Sequence, residues 1–157
     1  MLQAIPREDT FLHKGLRTKL VNELINLGIK DASVIAAIQN IPRHFFLEPG
    51  FERYAYENRA FTILANQTIS HPYTVAFQTE LLEIKKGEKV LEIGTGSGFQ
   101  TAILCEMGAK VISIERHSDL HVSARLLLDF LHYKPKLFFG DGYKGNAFNA
   151  PYEKILV

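Results

Sequence analysis

Val90-Leu91-Glu92-Ile93-Gly94-Thr95-Gly96-Ser97-Gly98 is the stretch on which the reading of this chain turns. A short apolar run carrying one acid passes into three glycines at alternate positions. A helical pattern over 97–107 follows. Strand, tight turn and helix in that order open a βαβ unit. Glycines in the turn let the backbone take positive φ and come close to a ligand. The helix N-terminus behind them presents free N–H groups and a partial positive charge to a carboxylate or phosphate.

Working outward, the rhythm repeats. Residues 111–115 read as a second strand ending on Glu115, where an acid is placed to bind both hydroxyls of a ribose. Ser118 is expected to cap a helix whose Leu120, Ala124, Leu127, Leu128 and Leu131 share one face. Residues 137–139 form a third strand, stopped by Gly140-Asp141-Gly142, and a fourth begins at Lys154. Strands alternating with amphipathic helices imply a parallel sheet with right-handed crossovers. Upstream the pattern is helical. Leu16, Leu20, Leu24 and Leu27 form one stripe that Gly28 stops. Asp31 caps a short helix that Pro42 ends. Residues 43–70 are irregular and aromatic-rich. Pro72 fits the first turn of a third helix, with Phe77, Leu81 and Ile84 expected on its buried face.

Composition narrows the class. The chain has 157 residues, 46% apolar and 22% charged, with a net charge of +1. That suits one globular domain and excludes a disordered chain. Near-neutral charge argues against non-specific nucleic-acid binding, which needs a basic face. The lone Cys105 excludes an internal disulfide and a multi-cysteine zinc site, and is expected to pack in the core. No apolar run approaches membrane-spanning length, and the opening MLQAIPREDT has no apolar signal region. A cytoplasmic protein is expected, taken as a monomer, with no metal site. His117 and His121 stand one helical turn apart, but no third ligand accompanies them.

Two cofactor classes fit the glycine turn. A dinucleotide fingerprint needs glycine where this chain has Phe99. The acid, one spacer and then G-x-G-x-G is similar instead to the first motif of S-adenosylmethionine (SAM)-dependent methyltransferases. On that reading Glu92 orients the loop near the cationic amino end of SAM. Gly94, Thr95, Gly96 and Gly98 line the cofactor, Glu115 takes the ribose, and Asp141 with Gly142 meets the adenine. An ordinary Asp-Gly turn is the alternative for Asp141.

Further segments narrow the resemblance. Asn66-Gln67-Thr68-Ile69-Ser70-His71-Pro72-Tyr73, Ile41-Pro42-Arg43-His44-Phe45-Phe46 and Tyr54-Ala55-Tyr56-Glu57 accompany the glycine motif and Gly140-Asp141-Gly142. Together they make the chain resemble the protein-L-isoaspartate O-methyltransferase family from about Arg17 to Val157. The resemblance implies a doubly wound, mainly parallel α/β sheet of the SAM-methyltransferase, Rossmann-like type, with strand order 3-2-1-4. It implies transfer of the SAM methyl to the free carboxylate of L-isoaspartyl residues in damaged proteins and peptides, not to nucleic acid. Ser70 is the residue it implies at the active site, with Gln67, Thr68 and His71 shaping a substrate loop. An N-cap role for Ser70 is the alternative reading. The family loop usually carries glycines at the positions of Leu64 and Asn66. Asn66 tolerates positive φ and Leu64 does not, so a changed loop geometry is expected.

The organisation expected is a single domain over 1–157. Residues 1–87 supply a helical and substrate-loop segment, and 88–157 the SAM-binding α/β part. An apolar strand that stops at Val157 suggests that this domain is incomplete after the fourth strand. A truncated, inactive SAM-binding relative and a methyltransferase for another acceptor remain as alternative readings.

Overall fold

A computed structural model describes residues 8–157, so residues 1–7 of the stretch read as lacking a signal region lie outside it. Helix α1, Phe11–Asn26, opens on a capping box in which Thr10 Oγ1 accepts from His13 N and His13 Nδ1 accepts from Thr10 N. It closes as the glycine at 28 foretells. Gly28 takes φ +105°, Gly28 N donates to Ile25 O, and Ile29 N donates to Leu24 O. Leu20 and Leu24 are buried, but Leu27 sits at the C-cap and stays half exposed, so the expected leucine stripe is one residue shorter. Helix α2, Ala32–Asn40, is capped by Asp31, whose Oδ1 accepts from Ser33 N and Val34 N.

The irregular segment contains a two-residue antiparallel ladder, β1 (Phe61–Thr62) with β2 (Thr68–Ile69). Helix α3, Pro72–Leu81, starts with proline as expected. Its buried face differs from the expected one. Val75, Ala76 and Thr79 are inside, whereas Phe77 and Leu81 are exposed and Ile84 lies beyond the helix, packed near Val90. A 3.6-residue period marks two apolar stripes on this helix, and packing selects the one with small residues.

The central sheet follows with β3 (Lys89–Ile93), α4 (Phe99–Glu106), β4 (Lys110–Glu115), α5 (Ser118–Phe130), β5 (Lys136–Phe139) and β6 (Lys154–Leu156). All pairings are parallel in the order β5-β4-β3-β6, the 3-2-1-4 arrangement read from the sequence. Successive residues of β3 face opposite ways. Val90 packs with Leu104 and Val111 on one face, and Leu91 with Ile112 and Ile114 on the other. The largest core cluster joins α1, α2, α3, α4 and α5. Ser118 is the first residue of α5 rather than its cap; His117 takes the cap position, with its N–H donated to Glu115 Oε1. Among the described residues, no helix is long and apolar enough to cross a membrane.

Candidate active-site cleft

β3 ends where the sheet opens into a cleft, as ligand sites do at the carboxyl ends of parallel strands. Gly94 continues the ladder by donating its N–H to Ile114 O and then turns away at φ +91°. Gly98 closes the loop. Its N–H donates to Thr95 O, it holds φ +87°, and a Cβ there would press on Leu128 and Ala124 of α5. A side chain at 98 would meet both backbone strain and a packed helix.

Two buried carboxylates flank this loop; Glu115 bonds it, whereas Glu92, expected to orient it, bonds Thr101 of α4 instead. Glu115 spends one oxygen on Gly96 N at 2.8 Å and the other on His117 N at 2.9 Å. It thus braces the glycine loop directly; Glu115 itself is buried and, like Gly98, lies outside the residues that line the cleft. Glu92 lies at the floor of the cleft, 2% exposed. Its Oε2 accepts from Thr101 Oγ1 at 2.5 Å, while Oε1 is buried without a partner. Burial pushes its carboxyl up to about 7, against the hydroxyls of Thr101 and Ser113, which favour the charged form. A buried acceptor with an unfilled lone pair is suited to an incoming cationic donor, which would also favour its ionised form.

The opposite wall is the irregular segment. Thr68 and Ser70 line the cleft beside Gly94, Thr95 and Gly96. The cap of α3 is His71, and no side chain caps this helix, so the capping alternative for Ser70 does not hold. Positive φ falls on Ala65 (+56°) and Asn66 (+53°), while Leu64 begins the turn without it. Leu64 is thus spared the strained conformation, which falls on the two residues after it.

Some expected site residues lie elsewhere. Gln67 does not line the cleft; its Nε2 donates to Ala65 O at 3.3 Å and steadies the turn. His71 is exposed outside the lining. Thr95 lines the cleft, but its hydroxyl pairs with Ser113 Oγ at 2.6 Å inside the protein. Asp141 is exposed, and its Oδ1 accepts from Tyr143 N, the ordinary Asp-Gly turn weighed above. Gly142 packs against Ile93 so closely that a Cβ would collide with its Cγ2. Val75, Gln78, Gln100 and Leu156 line the cleft and were not singled out from the sequence. Gln100 alone carried a signal, two residues beyond Gly98 in the first turn of α4, where its Nε2 donates to Thr79 Oγ1.

Other candidates resolve as structure. Cys105 packs beside Val90 and Leu104, and burial with the nearby Glu92 and Glu106 carboxylates pushes its thiol up to about 12. Asp9, His13 and His44 converge closely enough to suggest a metal group. Arg17 instead pairs with Asp9 at 2.8 Å, and His44 Nδ1 bonds Tyr56 Oη at 2.7 Å. The Arg17 guanidinium supplies the positive charge that a cation would bring.

Similarity to known proteins points the same way. The family model described as protein-L-isoaspartate(D-aspartate) O-methyltransferase matches residues 15–157. A protein-L-isoaspartate O-methyltransferase of Christiangramia forsetii is 59% identical over 151 residues, 96% of this chain and 71% of that protein. The protein of the same name from Flavobacterium psychrophilum is 57% identical over 151 residues, with the same shares. A solved protein-L-isoaspartate O-methyltransferase superposes with a TM-score of 0.81 at 30% identity, covering 90% of this chain and 47% of that one.

Proposed function

The chain belongs to the protein-L-isoaspartate(D-aspartate) O-methyltransferase family, and we propose that it methylates the free carboxylate of L-isoaspartyl residues in damaged proteins and peptides. The observation that carries this reading is the single cleft shared by the glycine loop and Ser70. SAM supplies the chemistry when bound: a sulfonium methyl that is already electrophilic.

The residues present fit that cofactor. Glu92 Oε1 is a buried acceptor without a partner, suited to the amino end. Gly94 leaves open space where a Cβ would stand. Helix α4 begins directly behind the loop, and a helix N-terminus favours a carboxylate. Glu115 keeps the loop in shape and retains acceptor capacity for a ribose.

The acceptor makes small demands. A carboxyl group of ordinary acidity is ionised at neutral pH, so no strong base is required to create the nucleophile. The protein's task is then to hold the carboxylate in line with the methyl, an effect of proximity and orientation. We assign Ser70 Oγ–H to donate one hydrogen bond to that carboxylate and fix its direction, with Thr68 beside it. A protein acceptor rather than nucleic acid fits the net charge of +1.

The test is incubation with labelled SAM and an isoaspartyl peptide, with the aspartyl peptide as control. Label on the isoaspartyl peptide alone is the expected outcome. SAM binding without transfer, or equal transfer to both peptides, would overturn the assignment. Ser70→Ala is expected to lower kcat/KM at least about tenfold, the scale of one hydrogen bond to a charged group, without weakening SAM.

A further inference from the structure

Arg43 is the most deeply buried charged side chain near the cleft, 1% exposed, and no role in the reaction has been given to it above. It opens the 3₁₀ turn Arg43–Phe46. Its guanidinium binds three separate segments. Nε donates to Ala55 O at 2.9 Å, and Nη2 donates to Ser70 O at 2.9 Å. Its Cζ lies over the ring of Phe99, 4.7 Å from the ring centre; Phe99 is the first residue of α4 behind Gly98.

This is an unusual environment for a cation. Among the described residues no carboxylate lies within ion-pair distance of it, and Nη1 is buried without a partner. Burial pulls the guanidinium down to about 9. A site that served only packing would be better filled by an apolar chain of similar volume, because an unpaired buried charge is destabilising. The planar fork is what the position uses. It can bond carbonyls from two segments at once and stack on an aromatic ring, which neither a lysine nor an apolar chain can do.

Ser70 needs such an anchor. Its hydroxyl caps no helix, and the ladder before it, β1 with β2, is only two residues long on each strand. The carbonyl held by Arg43 is its own. Fixing that peptide plane limits where the Cα–Cβ bond of Ser70 points, and the contact with Phe99 refers the direction to the helix that starts at the cofactor loop. We infer that Arg43 is a positioning residue, which acts through Ser70 to align the acceptor wall of the cleft with the glycine loop. This inference rests on the role assigned to Ser70.

The test compares wild type, Arg43→Lys, Ser70→Ala and the double variant, with two readouts. Amide exchange of peptides covering residues 64–71 is expected to rise at least about tenfold in Arg43→Lys, while that of β3 and α4 stays unchanged. In turnover, Arg43→Lys is expected to lower kcat/KM for the isoaspartyl peptide at least about tenfold, with little further loss when added to Ser70→Ala. Binding of S-adenosylhomocysteine is expected to stay within about twofold, since the lost contacts touch the acceptor wall. Unchanged exchange, or equal losses in both backgrounds, would overturn the inference. Loosened exchange in a protein that transfers no methyl would leave the anchor standing and reject the proposed activity instead. If Arg43→Lys fails to melt cooperatively, Phe99→Leu removes the ring and keeps both carbonyl bonds. A smaller loss confined to the Ser70 background is expected of it, and wild-type exchange and kcat/KM would overturn the inference.

Discussion

The two walls of the cleft are built by opposite means. The glycine-loop wall is regular backbone: a strand, a turn and a helix, held by neighbouring strands through ladder bonds and by the Glu115 brace from β4. The Ser70 wall is irregular, and side chains from distant parts of the sequence hold it. The first is rigid by local geometry and suits an invariant cofactor. The second presents a serine on a loop whose shape depends on Arg43, as suits a peptide acceptor that varies. Cofactor affinity should therefore answer to one wall and acceptor handling to the other.

The sharpest way to break the first wall is Gly98→Val. The residue holds φ +87° and a Cβ would press on Leu128. Strain and overpacking together are expected to destabilise the protein by about 2–4 kcal/mol, read in denaturant melts. Wild-type stability would mean that the loop is soft rather than pre-formed. Next, Glu115→Ala is expected to weaken SAM binding by roughly 1.5–3 kcal/mol in calorimetry, because Gly96 N loses its brace and the proposed ribose contact goes with it. The comparison would be inverted if this variant instead lost acceptor binding and kept SAM.

A smaller effect separates the walls by pH. Glu92 in the folded protein keeps its proton up to about 7, above its ordinary value of 4.5. Folding without ligand therefore binds a proton in that interval, and Glu92 makes stability fall as pH rises through it. A cationic group beside Glu92 would favour its ionised form, so SAM affinity is expected to climb through the same interval. Glu92→Gln is expected to flatten both trends, and a wild-type slope in that variant would remove Glu92 from the role. On the side of the irregular segment the sign is reversed. His44 is held below its ordinary 6.5, chiefly by burial. Its contribution is whole above that pH and is lost as pH falls from it towards the folded value. Melts on either side of pH 6.5 should show that loss in wild type and not in His44→Gln.

These contrasts match what could be read along the chain. Alternating strands and helices, the three glycines and the Asp31 cap announce themselves through spacing, because each depends on neighbours a few residues away. The Schellman closure at Gly28 was equally legible. The buried face of α3 was not, since Phe77 and Leu81 satisfy the same helical period as Val75, Ala76 and Thr79. Ser118 looked like a cap, but Glu115 fixes the turn through His117 N and moves the cap one residue earlier.

The sequence by itself determined the βαβ order, the parallel sheet, the position of the cofactor loop and the family, all of which rest on local period and motif. The tertiary structure alone decided that Ser70 faces that loop without capping α3, that Gln78 and Gln100 join the cleft, and that Asp141 stays outside its lining. It alone revealed Arg43, whose partners at Ala55, Ser70 and Phe99 are scattered along the chain. Hydrogen bonds between distant segments leave no period in a sequence, because they depend on which surfaces the folded chain brings within about 3 Å of each other.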